Sequence, residues 1–412
     1  MAETARVPLV RRRWGRQVSL FQIREPAFWA YAVIVVGTSV YAFSEQTVFR
    51  RISPAGWALS WALLVVYALP VFLAVYFLDL YEREPITLVL GSLVWGAIPA
   101  TTLAGLANGG WGLVVARVGG PEFASRWTAA LTAPITEETL KAAGVVVICL
   151  IAMDEIDDMM DGFVYGAVCG LGFAIVEDVF YFIGVFGGSP SGVLEGFYIR
   201  VLSSGLYGHV LYTGLTGMGI GYFVSTRGEV PLRRRVWTAI GLLVAGMAGH
   251  FLWNSPWLDL FPSRLRGIGD WLVIPVAAAV KGMPLLAFVG VAVLLARRQE
   301  RRWLGVALAT EVNGGGLSEH ELAILQDPTA RRLARRDMRA RAGTRAAGLL
   351  KRLQHEQVNL AMVRARVVAD DDPSLIRQRD YCRSLRAALE AMPGAAPGAV
   401  RSGSPDRSAT EG

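Results

Sequence analysis

Cysteine, histidine and charge are all scarce in this chain of 412 residues. Its three cysteines (Cys149, Cys169, Cys382) make no disulfide framework; two lie within apolar runs and read as packing residues. Charged residues are 18% of the chain against 53% hydrophobic, and mean hydropathy is +0.40, which excludes an ordinary soluble globular protein. No small-residue cleavage site follows the first apolar run near Ala27, so a retained membrane helix is expected in place of a signal peptide. Nothing resembles a nucleic-acid recognition module, and no nucleic-acid partner is expected. The four histidines are His209, His250, His320 and His355, and the last two sit in a polar tail where nothing singles them out.

What is present is a series of apolar runs of roughly 20 residues, each long enough to cross ~30 Å of hydrocarbon. Eight spans are predicted, at 27–43, 56–78, 87–108, 129–152, 163–186, 200–223, 237–256 and 271–295. The fold class is therefore an all-α polytopic membrane protein of about eight transmembrane helices with a helical, basic cytoplasmic tail. Its expected parts are a basic N-terminus (1–26), a membrane domain (27–296), a partly helical basic tail (297–392) and a disordered C-terminus (393–412). Fifteen arginines flank the spans on the side of the N-terminus and seven on the other, from which both termini are cytoplasmic, in a bacterial-type cell membrane. Charge divides the same way: residues 1–296 balance, and the whole net +7 lies in the tail.

Two loops carry charge. Asp79 to Pro85 reads as a helix stop closed by proline. Asp154 to Gly162 holds five acids, but without the ligand alternation of a calcium loop, and reads as a solvated turn. In the tail, Ser318 and Glu321 have capping-box spacing. The arginine-dense helix that follows, Arg331 to Arg345, suits anionic lipid headgroups beside a membrane.

The spans themselves contain residues that hydrocarbon does not tolerate. Glu137, Glu138 and Lys141 fall in span four, Glu177 and Asp178 in span five, His209 in span six and His250 in span seven. Ionisable residues inside a membrane are expensive and generally face a bundle interior where they carry function. Counted at ~1.5 Å per residue from the outer ends, Glu138, Glu177, His209 and His250 share a level roughly 9–14 Å deep. Each lies on a helix face that also carries a small residue or proline within two turns: Pro134 with Glu138, Gly170 and Phe173 with Glu177, Thr213 and Gly217 with His209, Gly246 and Asn254 with His250. Glu137 is expected to pair with Lys141 four residues on. Satisfied structural histidines and a buried ion pair are the plain alternative, but so many polar groups at one depth exceed what packing requires.

These residues resemble the motifs of the PrsW family of intramembrane proteases. Glu137-Glu138-Thr139-Leu140-Lys141 is similar to its Glu-Glu-x-x-Lys motif and Phe173 to Glu177 to its Phe-x-x-x-Glu motif. His209 and His250, the latter within His250-Phe251-Leu252-Trp253-Asn254, resemble its histidine motifs. Asp161, Gly162, Tyr165, Gly166 and the Asp79 to Pro85 loop also look familial, and the likeness covers roughly residues 60–256. Asp178 departs from it, standing where the family has asparagine. The resemblance implies peptide-bond hydrolysis within the membrane, on single-span or membrane-associated substrates such as an anti-sigma factor, and distant kinship with the CAAX-processing proteases.

On the residues alone, a carboxylate in an apolar site suits general-base work. Glu138 is the favoured base, assisted by Glu137, with His209 and His250 donating to the oxyanion and Asn254 orienting His250 or the substrate carbonyl. No cofactor is favoured. Zinc is the rival, on a His209, His250 and Glu177 set, though the chain has no His-Glu-x-x-His. A proton- or solute-coupled transporter, to which Lys281 in span eight would also belong, and a scaffold without catalysis stay open as non-proteolytic readings.

Overall fold

The computed structural model describes residues 19–78, 84–156, 158–204, 207–258, 267, 269–313, 317–367 and 369–395. Most of the Asp79 to Pro85 loop, and all but three residues of the 393–412 stretch, lie outside them. The described chain is helical and divides into two compact units, one ending at Arg298 and the other beginning at Gln299.

In the first unit, α1 (Pro26–Ile52) and α2 (Pro54–Tyr76) precede α3 (Ile86–Trp95), which continues through a π-helical turn (Gly96–Ala100) into α4 (Thr101–Gly119). Pro99 sits inside that turn, and the wider turn accommodates its missing N–H. Then come α5 (Pro121–Ile151), α6 (Met159–Phe180), the short α7 (Pro190–Gly196), α8 (His209–Ser225) and α9 (Leu232–Asn254). Helix α10 (Asp270–Asn313) contributes its residues up to Arg298 to this unit.

Six stretches among the described residues are long and apolar enough to cross a membrane: α1, α2, Ile86–Gly119, Met159–Val185, α9 and Asp270–Arg298. The two predicted spans outside this set are α5 and α8, and the reason is physical. Helix α5 carries Glu137, Glu138 and Lys141 mid-length, and α8 has only 17 residues. The predicted span at 200–223 is thus corrected: α8 starts at His209, capped by Gly208 in an extended conformation. Arg200 lies instead in a separate π-helical segment, Phe197–Leu202. His209 is consequently the first residue of its helix, and the depth assigned by counting along a longer span does not apply to it.

Helix α6 is the packing centre. Gly162, Gly166 and Gly170 lie on one face, and a Cβ on them would come within 2.1 Å of the Gly217 carbonyl oxygen, 2.2 Å of that of Thr213 and 2.2 Å of that of His209. On another side a Cβ at Gly172 would meet the Leu93 carbonyl oxygen at 2.1 Å. The backbones of α8 and α3 approach α6 as closely as only glycine permits, which suits helices lacking a hydrophobic drive to associate in lipid. The acidic turn before α6 is a cap. Asp158 accepts from the backbone N–H groups of Met160 and Asp161, and Asp161 accepts from that of Asp158. The expected solvated turn is corrected in that Asp161 is buried. Glu84 accepts a hydrogen bond from the Tyr165 hydroxyl.

The second unit contains the end of α10, α11 (Glu319–Gln326), α12 (Pro328–Arg366) and α13 (Pro373–Glu390). Ser318 and Glu321 form a reciprocal capping box. Glu311, fully buried, takes both ends of the Arg379 guanidinium at 2.7 and 2.8 Å. Leu325, Leu360, Leu375 and Cys382 form part of its interior, and burial pushes the Cys382 thiol up to about 12, where it is inert. Helix α12 turns at Gly343, whose φ of 85° belongs to the left-handed region.

The α6–α8 contact makes a direct prediction. Gly166→Ala should cost about 1–3 kcal/mol or more, seen as a lower midpoint of thermal unfolding in detergent. Gly105→Ala, whose Cβ meets nothing within 4 Å, is the near-neutral control. Equal midpoints for the two variants would contradict the packing.

Candidate active site

Four helices converge on a small volume. Glu137, Glu138 and Lys141 come from α5, Glu177 and Asp178 from α6, His209 and Thr213 from α8, and His250 and Asn254 from α9. Glu138 and Lys141 are fully buried, while Glu137 and His250 are each 3% exposed.

Lys141 is the hub. Its Nζ lies 2.6 Å from Glu138 Oε1, 2.9 Å from His209 Nδ1 and 3.6 Å from Glu137 Oε2, and 4.0 Å above the centre of the Phe173 ring. The expected Glu137–Lys141 pair is therefore the looser of the two, and Glu138 is the closer partner. Glu138 also accepts from the Thr213 hydroxyl at 2.9 Å and from His250 Nδ1 at 3.1 Å. With its oxygens thus engaged, this carboxylate organises the three helices around it.

The tautomers follow from donor supply. An ammonium has only donors, so His209 Nδ1 accepts from Lys141, and Nε2 carries the proton donated to Glu177 Oε2 at 3.0 Å. His250 donates through Nδ1 to Glu138, leaving Nε2 turned toward Glu137 Oε2 at 3.8 Å. Tyr212 stacks on the His250 ring at 5.0 Å. Asn254 does not orient His250; its amide donates to the Ala129 carbonyl at 3.4 Å.

Glu137 is different in kind. Its Oε1 accepts from Asn108 of α4 at 3.1 Å, while the buried Oε2 accepts no hydrogen bond among the described residues. A cavity of about 740 Å³ is bordered by Glu137, Glu177, His209, Tyr212, His250 and Asn254, whereas Glu138 and Lys141 do not reach it.

Sequence reasoning missed Arg200, Asn108 and Tyr212. Arg200 forks onto Asp178 Oδ1 at 2.6 Å and Glu177 Oε2 at 2.9 Å and lies over the Tyr181 ring. The signal for Arg200 was Asp178 itself, since an acid in place of an amide calls for a cation nearby. Asn108 is a lone amide in an apolar span, and Tyr212 lies one turn past His209. Lys281, by contrast, takes no part in the cluster and donates to the carbonyls of Trp253 and Ser255 at the end of α9.

Ligand donor atoms of Glu137, Glu138, His209 and His250 all lie within 4.8 Å of one another. Glu177 stands outside this group, beside His209 and Arg200. Four carboxylates (Glu137, Glu138, Glu177, Asp178) meet one lysine and one arginine (Lys141, Arg200), and with all six charged the surplus of two negative charges calls for two protons or a divalent ion. Two imidazoles and two carboxylates are a donor set that zinc accepts.

This arrangement coincides with a match to known proteins. The model of the PrsW family of intramembrane metalloproteases matches residues 84–281. The chain is 28% identical to Protease PrsW of Geobacillus kaustophilus (strain HTA426) over 199 residues, 48% of this chain and 72% of the relative. It is 27% identical to Protease PrsW of Bacillus subtilis (strain 168) over 173 residues, 42% of this chain and 71% of the relative. No solved structure matches. The charged side chains gathered from four helices lie on the segment that carries the match, and over that segment the chain resembles the PrsW protease family.

Proposed function

We propose that the protein is an intramembrane endopeptidase in which Glu137 activates the hydrolytic water. The observation that carries this reading is Glu137 Oε2, buried, without a hydrogen bond among the described residues and bordering the cavity beside His250 Nε2. Glu138, the base favoured on sequence, has its oxygens taken and no access to the cavity, which suits a positioning role.

In this mechanism Glu137 takes a proton from water as the oxygen attacks the scissile carbonyl carbon. The oxyanion collapses with breakage of the C–N bond, and Glu137 returns the proton to the departing amine. Lys141 holds both glutamates and His209 in place without entering the cavity. Arg200 and Asp178 hold Glu177 against His209 Nε2, which fixes that ring at both ends. A divalent ion such as zinc, when bound, would be held by Glu137, Glu138, His209 and His250 and would supply Lewis-acid polarisation. Lys141 Nζ already occupies Glu138 Oε1 and His209 Nδ1, two of the candidate ligand atoms, which favours the metal-free reading.

The substrate class follows from the cavity wall. On α5, Ser125, Ala129, Ala133 and Glu137 succeed one another at four-residue spacing, all lining the cavity; on α4, Gly105, Asn108 and Gly109 line it as well. This side of the cavity is built of small residues and ends at the unbonded carboxylate oxygen. It suits a single membrane-spanning substrate segment laid along α4 and α5 with its scissile bond at Glu137. The cytoplasmic placement of both termini is part of the same proposal, on the arginine distribution.

Three outcomes test this reading in a co-expressed panel of single-span reporter proteins. Glu137→Gln, at wild-type abundance, should lower cleavage at least about 100-fold; cleavage within threefold of wild type sinks the assignment. Treating purified enzyme with a zinc chelator should leave cleavage unchanged, whereas loss restored by zinc alone would establish the metal reading. A Cβ added at Gly109 meets nothing within 4 Å, so in Gly109→Leu the fold should survive while cleavage of reporters with large side chains at the cut falls at least tenfold. Undiminished cleavage would place the substrate elsewhere.

A further inference from the structure

The reaction needs a donor for the oxyanion, and the two histidines are poorly placed to be the whole supply. Both His209 nitrogens and His250 Nδ1 are already engaged. Asn254 spends an amide hydrogen on Ala129, though weakly. Tyr212 lines the cavity and brings a buried hydroxyl that has no hydrogen-bond partner among the described residues.

Three observations define it. Its side chain is 2% exposed, and its hydroxyl has no hydrogen-bond partner among the described residues. A hydroxyl left so costs about 1–3 kcal/mol, and such groups are retained where a ligand or water completes them. The ring borders the cavity and is held on two sides. It stacks on His250 at 5.0 Å with 13° between the planes, and stands edge-on to His209 at 5.8 Å. The backbone beneath it is equally constrained, because a Cβ at Gly246 of α9 would come within 2.6 Å of the Tyr212 carbonyl oxygen. A donor held this rigidly needs no reorganisation as charge develops, which is the condition for effective oxyanion stabilisation.

We propose that the Tyr212 hydroxyl is a catalytic residue that donates a hydrogen bond to the carbonyl oxygen of the scissile peptide as it becomes tetrahedral. The phenol keeps its proton throughout; the proton that reaches the leaving amine is the one Glu137 removed from water. This inference rests on the protease reading above and adds to it the source of the oxyanion contact. Stacking of the same ring on His250 aligns the two groups, so the reacting carbonyl lies between the Glu137 side and the Tyr212 side of the cavity.

The test is Tyr212→Phe, which keeps the ring and its stacking and removes only the hydroxyl. Single-span reporter cleavage is measured with purified full-length protein in detergent, as kcat and KM per folded monomer, alongside the unfolding midpoint. The expected result is a fall in kcat of about 100- to 1,000-fold with KM and midpoint unchanged. A kcat within threefold of wild type overturns the proposal, as does a loss confined to KM, which would make the hydroxyl a substrate-binding group. Tyr212→Leu, which removes the stacking as well, serves as the structural comparison: if the Phe and Leu variants lose midpoint and kcat together, the ring is a packing element and the proposal falls. A wild type that cuts no reporter overturns the protease reading itself, a result distinct from any behaviour of the Tyr212 variants.

Discussion

A buried ammonium among buried carboxylates is the interaction on which this membrane domain turns. Lys141 has no exposed surface and touches Glu138, Glu137, His209 and the Phe173 ring. Removing one member of such a cluster strands the others in low dielectric, at about 3–5 kcal/mol for a simple pair. The cluster therefore has to form as a unit, and it can form only if four helices arrive together. Arg200 makes a second, smaller hub at the edge, tying Glu177 and Asp178. The two hubs meet at His209, whose ring is bound by Lys141 on one side and Glu177 on the other.

Such convergence imposes a condition on the backbone, met by glycine. Gly162, Gly166 and Gly170 let α6 and α8 touch main chain to main chain in antiparallel register. That register carries Glu177, two turns beyond Gly170, to the start of α8 and thus to His209. On α9, Gly246 allows the same closeness to Tyr212 one turn before His250. The polar site and the glycine contacts are one design: short polar reach between helices demands short distance between their axes.

Within the cluster the two adjacent glutamates divide their tasks by accessibility. Glu138 is saturated by Lys141 of its own helix, Thr213 of α8 and His250 of α9. Glu137 is anchored by Asn108 through one oxygen and keeps the other for the cavity. Neighbours in sequence on a helix point about 100° apart, so the two carboxylates of this Glu-Glu pair meet different surroundings, and only Glu137 lines the cavity. Tyr212 lies beside them, its ring stacked on His250 and its buried hydroxyl without a hydrogen-bond partner among the described residues.

The chain alone determined that this is a polytopic helical membrane protein, because long apolar runs have no other stable form in lipid. It also determined that Glu137, Glu138, Lys141, Glu177, His209 and His250 belong together, since isolated ionisable groups at that depth are too costly to keep. Glycine spacing identified the correct faces of α6, α8 and α9. Helix ends were not legible: the largely apolar composition from Val201 to Phe223 does not mark the break before His209. A depth counted along that run therefore fails, and Arg200 reads as a flanking residue. Only the tertiary structure decided which glutamate faces the cavity, which carboxylate Lys141 holds most tightly, and that Asn108, Arg200 and Tyr212 join the site. Those choices depend on rotation and register between helices distant in sequence, set by backbone contacts at glycine that no local pattern encodes.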